Sequence, residues 1–590
     1  MLFVQRVGRL GKASYYTTWP PLGAADTSEI VSWCQPDTWQ RAGRQTLSID
    51  VGWRWVSEVH SSSIKSFQIY FAHILGCAAT RLFSLLDVPL PKKTPAMVFS
   101  LRRFTWRRVL FFGSASLLFF IFIFSLTPIT SPLPPYTGPH EVGILDVETE
   151  VQKRVIHEAV LKATGNDAFT LETLAITLYY PSSLPVTSPS QRPWARPWLP
   201  QPVSLIGEGY ARLAGVPRLS SLFTFALWAL GSSTVIPGVV AAPVISGAEK
   251  LLTDEGTGSG SFGKLMHAAE QEHSELKRDE GFGTLPCLVF THGMAGMSQS
   301  YAHYLGSIAS HGYVVAAVEH RDGSGPGSIV HHSDDTERKV WHVKLQDLES
   351  NPPMSELDLK AAQLAYREAE MSETIKLFAR MNAGEEIENR KRDSPALPSF
   401  KDRLNLSAVA IAGHSYGATG VLQALKSAGS KAMPINGGIA LDPGKGSGPL
   451  NKDIDVPMLV MQSGEWTERQ TEFYGQGWHF DVVKRIVESI KEGWFMTLSG
   501  TAHPSCTDAP LIVPWIMKLV TGTTLAPTVA LREYIDVSVD FLRFLQTGEK
   551  KGVLNSNVTS SSGPLGDSSK ERKKVKGVYG AEWEVHVAPQ

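Results

Sequence analysis

The sequence predicts an α/β fold with a largely parallel central sheet, on three observations. Six short apolar runs, several of them β-branched, recur along the second half: "CLVFTHG", "YVVAAVEH", "LSAVAIAGHS", "GGIALDP", "MLVMQSGE" and "WFMTLSGTAH". Runs of this kind read as strands buried on both faces. Helix-like segments lie between several of them. The clearest is 357–381, where Leu364, Met371, Ile375 and Phe378 fall on one helical face and read as core packing. The composition, 43% hydrophobic and 19% charged over 590 residues, suits a globular chain with a sizeable core. Strands alternating with helices imply crossover connections, and hence parallel pairing.

The elements before that sheet read less evenly. Residues 1–108 mix Trp, Ser, Gly and Arg without sustained period. They suggest a poorly structured N-terminal extension, or a gene start set too early. From Val109 to Leu126 there are 18 uncharged, mostly apolar residues, near the lower limit for crossing a bilayer. Arg102, Arg103, Arg107 and Arg108 crowd its N-terminal side and Pro128 ends it. With no polar stripe to face water, 109–126 is expected to be an N-terminal membrane-anchor helix, an uncleaved signal anchor. The positive-inside rule then gives a single-pass protein with a cytoplasmic N-terminus and a translocated main domain.

"SPLPPYTGPHEVG" follows as a Pro-rich linker into a domain expected over 135–546. "HEVGILDVE" and "LAITLYYP" read as an antiparallel pair, and "PSSLPVTSPSQRPWARPWLPQP" as a loop. The stretch 219–245 is apolar enough for a second span. Strand-like runs at 174–181 and 287–293 flank it, however, and Pro237 and the Gly-Ser-Ser at 231–233 interrupt it. A buried or membrane-touching insertion is therefore expected. Residues 547–590 are polar and expected to form a disordered tail.

A formal net charge of −1 gives no sign of a nucleic-acid partner. Cys34, Cys77, Cys287 and Cys506 are scattered and form no CxxC or CxH cluster, so neither a zinc site nor a disulfide framework is indicated, and no cofactor is expected.

Gly413-His414-Ser415-Tyr416-Gly417 fits G-x-S-x-G. The small residues matter because a nucleophilic serine sits at the apex of a very tight strand-to-helix turn, its oxygen exposed above the sheet. "SAVAIA" before it reads as a buried strand and "GATGVLQALKSAG" after it as a helix, which is the context the motif requires. Such a serine needs a base, and the base an orienting acid. In the α/β-hydrolase fold they follow in the order Ser, Asp or Glu, His. Of the later histidines, His503 in "GTAHPSC" follows a strand-like run and is preferred. His586 falls in the expected tail, and His479 reads as structural. Asp442, ending "GGIALDP", is preferred as the acid, with Glu465 as its rival. An oxyanion hole needs two backbone N–H donors. Tyr416, after the serine, and Met294, in the His-Gly turn of "FTHGMAGMSQSY", are nominated.

Taken together, "LVFTHGMAGMSQSYAHYLGSIASHGYVVAAVEHRDGSG", "IAGHSYGATG", "IALDP" and "GTAHPSCTD" resemble the platelet-activating factor acetylhydrolase family, of the plasma and intracellular type II kind. "PPYTGPHEVGILDVE" and "ITLYYPSS" look like its N-terminal strands, so that the resemblance covers roughly 135–545. It implies an α/β-hydrolase fold and calcium-independent cleavage of short or oxidised sn-2 acyl chains from phospholipids. The apolar 219–245 segment is expected to rest on a membrane surface and admit substrate. The resemblance places the nucleophile on Ser415, the acid on Asp442 and the base on His503, and supports Met294 and Tyr416 as oxyanion donors. Tyr416 and Ala418 stand where the family often carries Phe and a second Gly, which bears on the shape of the acyl pocket. A general carboxylesterase or lipase has the same triad. A catalytically dead, membrane-anchored scaffold would keep the same fold.

Overall fold

The computed structural model describes residues 130–182, 196–245, 284–391, 396–431, 433–560 and 573–589. All belong to the second of two compact units, Ser63–Gln590. The N-terminal extension and the expected membrane helix at 109–126 lie outside the described residues. Among the described residues, no helix is long and apolar enough to cross a membrane.

The first strands, β1 (Glu141–Leu161) and β2 (Asp167–Ser182), pair antiparallel with Ile144 opposite Tyr179. Helices α1 (Val203–Leu213) and α2 (Ser220–Gly231) follow, then the two-residue strand β3 (Val239–Val240). Next come β4 (Leu285–Thr291), α3 (Ala302–Ser310) and β5 (Val314–Val318). A hairpin of β6 (Gly327–His331) and β7 (Glu337–Trp341) and the short β8 (Leu348–Glu349) lead to the long α4 (Glu356–Ala383). The second half runs β9 (Leu404–His414), α5 (Tyr416–Ala424), β10 (Ile435–Leu441), β11 (Met458–Ser463), α6 (Gly464–Glu468), α7 (His479–Glu488) and β12 (Gly493–Leu498). It closes with α8 (Pro514–Thr521), α9 (Pro527–Thr547), β13 (Val575–Lys576) and β14 (Glu582–Val587).

Twelve strands form one sheet in the order β13-β14-β12-β11-β10-β9-β4-β5-β2-β1-β3, with β8 beside β1. The six strands expected from apolar runs, β4, β5, β9, β10, β11 and β12, are its parallel centre. Each buries both faces. On β9, Val409 and Ile411 join one core cluster while Ala410 and Ala412 join the other, as a two-residue period requires. Helices α4, α5 and α7 pack on the first face, and α3 and α9 on the second.

Helix α4 starts on a capping box. Ser355 Oγ accepts from the Asp358 N–H at 3.2 Å, and the Asp358 carboxylate accepts from the Ser355 N–H at 2.8 Å. It stops at Gly384, whose φ of 72° is left-handed. Of its expected stripe, Met371, Ile375 and Phe378 sit in the core cluster and Leu364 is buried.

One expectation changes. The C-terminal stretch is not a disordered tail throughout: β14 pairs antiparallel with β12, setting Trp583 opposite Leu498. Trp583 and Val585 enter the core, and the Trp583 indole N–H donates to Glu533 at 2.9 Å. "EWEVHV" is a short strand behind a long polar stretch, so composition over the whole segment hides it. His586 on this strand is buried; its Nδ1 donates to the Ser560 carbonyl at 2.7 Å, and its Nε2 is 2.8 Å from Thr497 Oγ1. The apolar stretch 219–245 returns to the sheet at β3, which pairs parallel with β1. Between them, α2 leaves Leu222, Phe225 and Trp228 exposed.

Candidate active site

Strand β9 carries the chain up to Ser415, which sits at φ 57° and ψ −118° before α5 begins. A left-handed φ is costly for a residue with a Cβ and persists only where the surroundings hold it. Here the Ser415 N–H donates to the Leu441 carbonyl at 2.8 Å, tying the turn to the end of β10. The flanking glycines are steric necessities. A Cβ on Gly413 would stand 2.6 Å from the Gly417 carbonyl carbon, and one on Gly417 would run into the Thr291 carbonyl oxygen.

His503 lies in the loop after β12. Its Nε2 is 3.0 Å from Ser415 Oγ, and its Nδ1 is 2.9 Å from Asp442 Oδ2. Asp442 directly follows β10, is 4% exposed, and also accepts from the Ser463 N–H (2.6 Å) and hydroxyl (2.8 Å). A carboxylate on Nδ1–H leaves Nε2 as the lone-pair nitrogen that faces the serine. Glu465 does not touch the imidazole. Its Oε2 accepts from the His503 backbone N–H at 3.2 Å, so it holds the loop rather than the ring. His479 packs edge-on against Phe473 at the start of α7.

The loop after β4 closes over the serine. A Cβ on Gly293 would lie 3.1 Å from Ser415 Cβ. The Ala295 N–H donates to the Ser324 carbonyl at 2.8 Å and that of Gly296 to Gly293 at 3.1 Å, which puts Met294 at the turn. The Tyr416 N–H belongs to the first turn of α5, where backbone donors have no partner within the helix. The two nominated donors thus come from segments that meet at Ser415.

Behind these loops lies a buried charge network that the sequence reading did not single out. Arg367 of α4 is fully buried and pairs with Asp322 at 2.7 Å. Its guanidinium donates to the His292 carbonyl (2.5 Å), Thr291 Oγ1 (3.2 Å) and Ser324 Oγ (2.6 Å), and lies 4.7 Å from the Tyr416 ring centre. Burial would raise the Asp322 carboxyl, but the Arg367 charge and Ser324 hold it below its ordinary range. Next to it, burial pushes Glu370 well up and His320 well down. The Glu370 carboxyl and His320 Nδ1 share a hydrogen bond of 2.5 Å.

Tyr416 turns away from the site. Its hydroxyl donates to the Lys360 carbonyl and Gln363 Oε1 of α4, each at 3.1 Å. Ala418 is buried in the core cluster under α5. Both departures from the family's elbow are therefore buried side chains. Trp466, also unforeseen, lies flat on His503, and Lys445 Nζ sits 4.6 Å from the Trp466 ring centre. Burial pushes the Lys445 ammonium down to about 8.

Among the described residues, His414, Asp442 and His503 bring potential metal-ligating atoms within 4.8 Å of one another. Every ring nitrogen in that group already has a hydrogen-bond partner within the chain. The donor set suits proton transfer better than ligation.

A strained serine between strand and helix, with a carboxylate and a histidine from later strand ends above a parallel sheet, is the arrangement of the α/β-hydrolase class. The family model described as platelet-activating factor acetylhydrolase, isoform II, matches residues 259–562, and the chain belongs to that family. A platelet-activating factor acetylhydrolase from Cavia porcellus is 26% identical over 48% of this chain and 62% of its own. One from Canis lupus familiaris is 32% identical over 42% of this chain and 52% of its own. A putative phospholipase A2 from Schizosaccharomyces pombe is 25% identical over 70% of this chain and 91% of its own. The chain thus spans less than two thirds of the length of the two acetylhydrolases.

Proposed function

We propose that this protein is a serine-dependent, calcium-independent esterase that removes short or oxidised sn-2 acyl chains from phospholipids. The observation that carries the reading is the unbroken line from Ser415 Oγ through His503 to Asp442, at 3.0 and 2.9 Å. His503 Nε2 takes the hydroxyl proton as Ser415 attacks the sn-2 carbonyl carbon. Asp442 stabilises the imidazolium that forms. The N–H groups of Met294 and Tyr416 hold the oxyanion. The imidazolium then returns its proton to the departing lysophospholipid oxygen. In the second half, His503 deprotonates water, which releases the short acid and restores Ser415. Family membership supports a phospholipid substrate over a simple ester.

The lipid surface is part of the same proposal. Leu222, Phe225 and Trp228 on α2, and Trp515 and Leu519 on α8, are large apolar side chains more than half exposed. Thr130 Oγ1 lies 3.4 Å from Ser233 Oγ, just past α2, and the Ser131 N–H donates to the Ile512 carbonyl, just before α8. The apolar stretch 109–126 ends four residues before Thr130, a reach of at most about 14 Å. If that stretch is the anchor, α2 and α8 rest on the same bilayer, and substrate enters from it.

The test is hydrolysis of short-chain sn-2 phospholipids beside simple esters, by the parent and Ser415→Ala, with and without a calcium chelator. Phospholipid turnover that ignores the chelator and vanishes with Ser415 is expected. Turnover of simple esters alone would replace the reading with a general carboxylesterase. Replacing Phe225 and Trp228 by Ser should cost far more turnover on vesicles than on a monomeric ester; an equal loss on both would reject the lipid surface.

A further inference from the structure

Three hydrogen bonds form a line behind the site that joins the β4 loop, the residue before Ser415 and the His503 loop. The N–H of Gly293, the residue before Met294, donates to the Tyr301 hydroxyl at 3.3 Å. That hydroxyl is 2.8 Å from Nδ1 of His414, the residue before Ser415. Nε2 of His414 is 3.0 Å from the carbonyl oxygen of His503. Tyr301 and His414 are both buried.

A peptide N–H can only donate and a peptide carbonyl can only accept, so His414 carries a proton on Nε2. With the ring neutral, Nδ1 then accepts and Tyr301 donates there, and the line runs one way. Burial and the neighbouring His503 charge push His414 well below its ordinary value, in keeping with a neutral ring. Neutrality matters because the His414 and His503 ring centres are 4.5 Å apart. A second cation there would oppose the imidazolium that acylation creates.

The segments so joined lack the ladder bonds of the sheet. The β4 loop turns through Ala295 at φ 56°, and the His503 loop leaves the sheet after β12. We infer that Tyr301 and His414 are positioning residues, whose one-way hydrogen-bond line sets the oxyanion loop and the base loop against Ser415. The inference rests on the nucleophile, base and oxyanion roles proposed above.

Tyr301→Phe removes one hydroxyl and little volume. It should lower kcat by about 10- to 100-fold, the cost of a small misplacement at a reacting centre, and leave KM near the parental value. Affinity for a trifluoromethyl ketone, which Ser415 converts to a hemiketal oxyanion in the same hole, should fall by the same factor. His414→Gln keeps a donor for the His503 carbonyl and an acceptor for Tyr301, and should retain most activity; His414→Leu should behave like Tyr301→Phe. Parental kcat and ketone affinity in Tyr301→Phe would overturn the inference. So would His414→Gln no better than His414→Leu, a comparison that decides the matter if Tyr301→Phe does not fold. Labelling of Ser415 in the parent by a fluorophosphonate is the separate control: its absence would reject the nucleophile assignment and take this inference with it.

Discussion

The indole of Trp466 lies flat on the imidazole of His503, with ring centres 3.9 Å apart and planes 13° from parallel. The Trp466 N–H donates to the Pro443 carbonyl at 2.9 Å, which holds the indole beside the residue next to Asp442. The His503 side chain is 27% exposed, and the indole covers one face of its ring. An aromatic face also favours a cation, the state His503 passes through in the proposed mechanism.

Trp466→Ala should therefore lower kcat/KM by about 2- to 10-fold, the equivalent of an aromatic pair worth roughly 0.5–1.5 kcal/mol. Trp466→Phe keeps a plane and should recover part of the loss. Steady-state kinetics on a soluble ester read both. Equal activity in all three proteins would remove Trp466 from the mechanism.

Asp442 and Glu465 both reach His503, one at the ring and the other at the backbone. Asp442→Asn should lower kcat by about 10⁴-fold, because an amide can donate to Nδ1 and so favour the wrong tautomer. Glu465→Gln still accepts from the His503 N–H through its carbonyl oxygen, so its loss should be small. A larger loss in Glu465→Gln would reverse the assignment of the acid.

Arg367 and Asp322 are a fully buried ion pair. Arg367→Met strands the Asp322 charge and should cost about 3–5 kcal/mol in urea unfolding. Combining it with Asp322→Asn should recover part of that cost, since residues in contact are not additive. Additive losses would mean that the pair is not coupled.

Asp508 is fully buried and accepts from the Trp198 indole N–H (2.9 Å) and the His303 N–H (3.0 Å). Burial lifts its carboxyl to about 7, against donors that act the other way. A folded value above the unfolded one, near 4, means that the native state binds the extra proton between them. Its contribution is complete below about pH 4 and is lost as pH rises through about 7, by up to about 4 kcal/mol. Melting of the parent and Asp508→Asn from pH 5 to 8 should show the parent losing ground as pH rises. A pH-independent gap would refute it.

The parallel strands were legible because a strand buried on both faces leaves a continuous apolar run, as "SAVAIA" does in β9. Ser415 was legible because its turn demands Gly413 and Gly417, and a steric demand is written as residue type. Strand β14 was not, because six residues behind a polar stretch carry too short a pattern to stand out. His414 lay in plain view inside the motif, yet its partners Tyr301 and His503 are 113 and 89 residues away.

The sequence by itself determined the order of the elements, the apolar pattern of the sheet and the residue types a strained nucleophilic turn needs. All three follow from local sterics and from periodicity along one segment. Tertiary structure decided which carboxylate meets the His503 ring, that Tyr416 and Ala418 are buried, and that Arg367, Trp466 and Tyr301 stand around the site. Those are matters of distance between segments brought together by crossovers, and a linear pattern does not encode such distances.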